Sequence, residues 1–141
     1  LLGVWTLADV SGDGELARGE LMRYFAEAAW YPTALLPSQG VRWQAVDESS
    51  ALGTLDDGPI SLTLLFRFNV AGLISSVCAA SRGAMEGRDM VMLPWDCGLS
   101  DYRPQGDLLL PMTGEAAWIR HAGRKTYFVG HVTKISHGFR L

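Results

Sequence analysis

The sequence is poor in the residues that usually announce chemistry. Of 141 residues, two are cysteine and three are histidine. Cys78 and Cys97 form no CxxC pair, and two thiols cannot close a structural zinc site without histidine. A disulfide between them would require Cα atoms within about 7 Å, so separate, partly buried thiols are the expectation. His121, His131 and His137 fall at spacings that match no zinc loop or ligand helix. HExxH, GxSxG, GxGxxG and GxxxxGK[ST] are absent, which leaves no catalytic residue and no cofactor to assign. No Ser–His–Asp set follows from residue order alone. Asn69 is the only asparagine and lacks the following x-Ser/Thr, which excludes N-glycosylation. Basic charge is scarce as well. Lys and Arg total 12 against 15 Asp and Glu, a net charge of −3, whereas binding a phosphate backbone needs a basic surface. Nucleic acid is therefore not an expected partner. No apolar run approaches the 18 or so residues of a membrane-spanning helix. No signal-peptide pattern opens the chain, and the start at Leu1 within a strand-like run suggests a C-terminal part of a longer protein.

What is present is a globular composition, 48% hydrophobic and 19% charged, in a length that suits one domain with a core of its own. The organising stretch is Arg18 to Pro37, RGELMRYFAEAAWYPTALLP. At a 3.6-residue period Leu21, Met22, Phe25, Ala28 and Ala29 share one face, while Glu20, Arg23 and Glu27 share the other. Glu20–Arg23 and Arg23–Glu27 stand at i,i+3 and i,i+4, each pair worth about 0.2–0.5 kcal/mol when exposed. Trp30 closes the stripe, and Pro32 ends the helix because the residue before a proline disfavours the α region.

The rest reads as strands. Leu1 to Val10 is an apolar run bounded by turn residues. Val41 to Val46 alternates, and Ser50 to Leu55 follows it. Asp57-Gly58 signals a hairpin with a type I′ turn. Ile60, Leu62, Leu64, Phe66 and Phe68 then form the clearest period-two row. Leu73 to Ala80 is the next strand, and Ser81 to Arg88 reads as a polar loop. Met90 to Tyr102 is a long strand in which Pro94 calls for an edge or bulge position, since proline cannot donate to the ladder. Leu108 to Arg120 leads through Ala122-Gly123 to Thr126–Ser136. One helix and about eight strands joined by short links imply an α+β fold, a curved antiparallel meander with the helix on one face.

One segment imitates a metal site. In Asp9 to Glu20, DVSGDGELARGE, the residues Asp9, Ser11, Asp13 and Glu20 fall at EF-hand positions one, three, five and twelve. The run before it reads as a strand where an EF-hand needs a helix, and Gly19 weakens the exiting helix. No metal is therefore assigned. The remaining signal is aromatic: Trp5, Trp30, Trp43, Trp95 and Trp118, with Tyr31, Tyr102 and Tyr127, suffice either for a core or for an apolar pocket. Arg23, Glu27, Trp30, Tyr31, Trp95, Tyr102, Glu115 and Trp118 are the candidate ligand-binding residues.

RYFAEAAWYPTALLP, GVRWQAVD, FRFNVAGLISSV and LPWDCGLSDYRPQGDLLLPMTGEAAW together resemble a bacterial family of uncharacterised proteins, known as a domain of unknown function. Its members carry a helix with an RYxAEAxWxPxALLP pattern after an acidic, glycine-containing turn. The resemblance covers about Leu7 to Ile135. It implies an open half-barrel similar in outline to periplasmic lipoprotein carriers, which hold acyl chains in the concave face. It supplies no catalytic residue, and the two cysteines lie outside its pattern. Three functional readings follow. The first is a non-enzymatic module holding a small apolar or lipid-like ligand on the concave face of the sheet. The second is an enzyme whose cleft is built on Glu27, Asp101 and Glu115 with Arg23. The third is a structural domain that completes a larger sheet with its own N-terminal remainder or with a second copy. Neither the compartment, cytoplasm or cell envelope, nor the identity of a ligand is legible.

Overall fold

Helix α1 runs from Gly14 to Glu27 and continues as 3-10 turns at Ala28–Trp30, Pro32–Leu35 and Pro37–Gln39. The structure is a computed structural model, and it describes residues 14–133. Leu21, Met22, Phe25, Ala28 and Ala29, the whole apolar face read from the periodicity, are buried. Glu20, Arg23 and Glu27 stand on the opposite side, with Arg23 2.9 Å from Glu27 and 3.9 Å from Glu20. The chain leaves the α-helix at Glu27, ahead of Pro32, which begins the second 3-10 turn.

Seven strands follow: β1 (Arg42–Asp47), β2 (Ser50–Asp57), β3 (Ile60–Phe68), β4 (Ile74–Glu86), β5 (Asp89–Gln105), β6 (Leu108–Arg120) and β7 (Gly123–His131). They form one antiparallel sheet in sequence order. The sheet is open, so β1 and β7 are its edges among the described residues, and α1 packs on one face. This is the expected α+β meander. The expected strand at Leu1 to Val10 lies outside the described residues.

Three local expectations need correction. Asp57 is the last residue of β2, paired with Ile60, so the two-residue turn is Gly58-Pro59. Gly58 has φ 57° and the proline ring fixes a negative φ after it, which suits a turn with glycine first and rules out type I′. Ser81–Glu86 is not a loop; it extends β4 and pairs with Asp89–Leu93. That segment carries no periodic apolar signal, and its partner strand imposes the extended form. Third, the helix begins at least four residues before Arg18. Gly14–Glu20, the second half of the calcium-loop pattern, is helical. Such a segment does not wrap around an ion. Asp9, Ser11 and Asp13 lie outside the described residues.

Pro94 does sit at a bulge. Ala79 pairs with Trp95 and Arg82 pairs with Leu93, so Ala80 and Ser81 together oppose the single residue Pro94. An extra residue shifts the alternation of side chains by one. Ala79 points toward the helix, and beyond the bulge Arg82 does so too.

The centre of the core is Phe25. Its ring meets Phe66 edge-on with centroids 5.2 Å apart, and Trp43 meets Phe66 likewise at 4.9 Å. The three rings converge over Gly53, where an added Cβ would lie 2.9–3.1 Å from them. Leu62, Leu64, Phe66, Val77 and Trp95 complete the buried layer.

Phe25→Ala is expected to cost about 3–5 kcal/mol through lost transfer energy and the cavity left behind. Arg23→Ala, which removes only exposed ion pairs, is expected to cost less than about 1 kcal/mol. Chemical denaturation of the two variants checks the ranking, and a larger loss for Arg23→Ala would contradict the packing direction of α1.

Candidate functional site

Over β2 to β5 the protein's own side chains fill the space beneath the helix. Over β5 to β7 they do not, and a cleft of about 470 Å³ remains between α1 and the sheet. Its floor is small for a reason visible in the strand register. Cys97 pairs with Ala116, Leu99 with Gly114, and Ala116 with Phe128. Cross-strand partners share a face, so Cys97, Gly114 and Ala116 form a low floor and Phe128 rises at its edge.

The walls are aromatic. Trp30 lies over Gly114, its ring 2.8 Å from where a Cβ would be, and its indole N–H donates to the Pro111 carbonyl at 2.6 Å. Trp95 is buried and donates from Nε1 to the Tyr127 hydroxyl at 2.9 Å. Tyr127 stacks on Trp118 with centroids 5.6 Å apart and planes 19° from parallel. Tyr127 also occupies a bulge: Ala116 pairs with Phe128 and Ala117 with Thr126, which leaves Tyr127 as the extra residue. Bulges re-aim side chains, and the neighbours Tyr127 and Phe128 consequently line one cleft, both strongly exposed.

Two guanidinium groups reach the cleft, from Arg23 and Arg82. Arg23 is engaged by Glu27, whose hydrogen bond and charge raise its pKa. Arg82 stacks between rings, its Cζ 4.6 Å from the Trp95 centroid and 5.5 Å from that of Trp118. Its Nε is buried without a hydrogen-bond partner among the described residues, where an added Cβ at Gly19 of α1 would lie 3.3 Å from it.

The opposite face of the sheet carries a polar chain. Arg67 donates to the Cys78 sulfur at 3.1 Å, and Cys78 lies 3.1 Å from Asp96 Oδ1. Arg124 bridges Asp96 and Glu115, at 2.7 Å from each. Burial, and then the hydrogen bond to Asp96, push the Cys78 thiol up. Burial pushes Cys97 up to about 12, with the Asp96 charge next in size. Cys78 and Cys97 are separate free thiols, as expected.

Among the expected binding residues, Arg23, Glu27, Trp30 and Trp95 line the cleft, and Glu115 belongs to the strand that forms its floor. Glu115 pairs with Gly98 and Val129, so its carboxylate stands on the far face with Arg124. Trp118 stands behind Tyr127 and Arg82 as the second layer of that wall. Tyr102 is elsewhere: its hydroxyl donates to the Ile74 carbonyl at 2.7 Å, and burial raises its pKa to about 12, with Cys97 contributing second. Tyr31 is exposed on the loop after the helix. Asp101 is exposed at φ 57° and pairs with Arg103 at 3.1 Å. Glu27, Asp101 and Glu115 therefore do not converge. Among the described residues no group of three metal-ligating side chains forms. Arg82 and Phe128 are lining residues that the sequence reading missed. Phe128 had a signal, as part of an apolar triplet Tyr127–Val129 in a polar strand; Arg82 had none.

A family described as a family of unknown function, DUF6920, matches residues 1–137. The chain belongs to that family. No curated protein and no solved structure matches it. DUF6920 membership thus supplies no activity, and the cleft has to be read from its own chemistry.

Gly114→Ala is expected to push Trp30 off the floor and break its bond to Pro111, which removes protection of that indole N–H from hydrogen exchange; unchanged protection would contradict the contact. At pH 8 a thiol with a pKa near 12 is about one part in ten thousand thiolate, the reactive form. Iodoacetamide is therefore expected to leave Cys97 unmodified in the folded protein and to label it in denaturant, read by intact mass.

Proposed function

We propose that this chain is a non-enzymatic binding module, an open half-barrel whose cleft beneath α1 holds a small apolar or lipid-like molecule. The observation that carries the reading is the hollow of about 470 Å³ with a small-residue floor and aromatic walls. Ligand sites run to about 300–1,000 Å³ and are mostly apolar with a few polar groups. Each methylene that leaves water for such a cleft contributes about 0.8 kcal/mol, so a medium-length acyl chain is enough for useful affinity. The scatter of Glu27, Asp101 and Glu115 favours holding a ligand over a carboxylate-centred reaction.

A second reading, a domain completed by another strand, is favoured by β7. Among the described residues this is an edge strand that exposes Tyr127, Phe128 and Val129, and an open edge is a template for pairing.

Native mass spectrometry of the purified protein separates the two. The proposed function expects a small molecule bound to the wild type and lost in Ala116→Leu, which fills the floor while the variant keeps its thermal transition. A ligand-free dimer would support the second reading instead. Identical ligand loading of both proteins would place the molecule outside the cleft and contradict the proposal.

A further inference from the structure

We infer that Arg82, with Tyr127 beside it, recognises an anionic head group, so that the cleft takes an amphiphile with an oxyanion, carboxylate or phosphate, on an apolar body. The inference rests on the binding reading above and adds the chemical class of the ligand.

The argument begins from pairing. Both cations of the cleft lie near the helix, yet among the described residues only Arg23 has a carboxylate partner. Arg23 holds Glu27 at 2.9 Å and Glu20 at 3.9 Å. No carboxylate among the described residues lies within ion-pairing distance of Arg82. A half-buried guanidinium without a counter-charge is costly, and this one is held in place by two indole rings and by the helix backbone at Gly19. Stacking fixes the plane of the group and leaves its edge to bind, the arrangement that suits a planar or tetrahedral oxyanion.

Tyr127 supplies the second donor. Its hydroxyl oxygen accepts from Trp95 Nε1 at 2.9 Å and lies 3.5 Å from Arg82 Nη1. With its oxygen turned to these donors, the hydroxyl hydrogen remains to be given to a ligand. The Nη end of Arg82 and this hydroxyl therefore meet at one point on the cleft wall. Both residues arrive there through bulges, at Ala80-Ser81 in β4 and at Tyr127 in β7. The low floor of Gly114 and Ala116 runs from that point toward Trp30 and Phe128, and it offers the apolar body its surface.

The test titrates the purified protein, by tryptophan fluorescence, with dodecanoate, dodecyl phosphate, dodecanol and inorganic phosphate, the amphiphiles below their micelle concentrations. The two anionic amphiphiles are expected to bind at least about tenfold more tightly than dodecanol, and inorganic phosphate not measurably. Comparison of the first two separates a carboxylate head from a phosphate one. Arg82→Met, which keeps the bulk between the rings, is expected to erase the anionic preference while dodecanol affinity stays within about threefold. Tyr127→Phe should lose part of the preference. Equal binding of dodecanol and the anions by the wild type would overturn this inference and leave the apolar cleft standing, as would a preference that survives Arg82→Met. Failure of all three amphiphiles to bind would overturn both. Inorganic phosphate binding as tightly as dodecyl phosphate would overturn the amphiphile. If Arg82→Met does not fold, the wild-type preference and the Tyr127→Phe titration decide.

Discussion

Everything in this fold depends on how closely one helix approaches one sheet. Phe25 reaches the sheet because Gly53 has no side chain there; a Cβ would collide with Phe25, Trp43 and Phe66 together. That contact sets the height of α1 over β2 and β3. Edge-on aromatic pairs add about 0.5–1.5 kcal/mol each beyond the area they bury, but their larger effect is geometric. With Phe25 seated, the polar face of the helix must turn outward, and the Trp30 turn must fall over β6.

At that second landing the contact is again aromatic on glycine, Trp30 over Gly114. The difference lies in the neighbours. Around Gly53 the adjacent inward positions are Leu64 and Phe66, which close the space. Around Gly114, Leu99 packs opposite it on β5, but the neighbouring inward positions Cys97 and Ala116 are small and leave space open. One helix spanning a sheet with large inward residues at one end and small ones at the other must leave a hollow at the small end. The cleft is thus a consequence of residue volume along the strands rather than of any special loop.

The electrostatics divide by face. On the far side Arg124 is matched by Asp96 and Glu115, and on the helix Arg23 is matched by Glu27. Among the described residues, Arg82 in the cleft is matched by rings and a hydroxyl instead of a carboxylate.

The sequence by itself determined the helix and its buried face, the β-meander order and a break in the ladder at Pro94 (edge or bulge, which the pairing decided), because each rests on a local rule: period 3.6, period 2, or a missing N–H. It also indicated part of the candidate site, since Arg23, Glu27 and Trp30 share the exposed side or end of one helix. Tertiary structure decided the rest. Which strand face Glu115 joined depended on register, and register put its carboxylate opposite Gly98 and away from the cleft. Asp101 and Tyr102 were separated from it by the length of β5. Arg82 sat in a segment with no pattern, SRGAME, whose strand form came from its partner Asp89–Leu93. The bulge beside Pro94 then reversed its side, and only with both strands in place does that side face the helix. Local rules fix what each segment becomes, whereas the meeting of side chains distant in sequence is fixed by pairing and packing that no single segment contains.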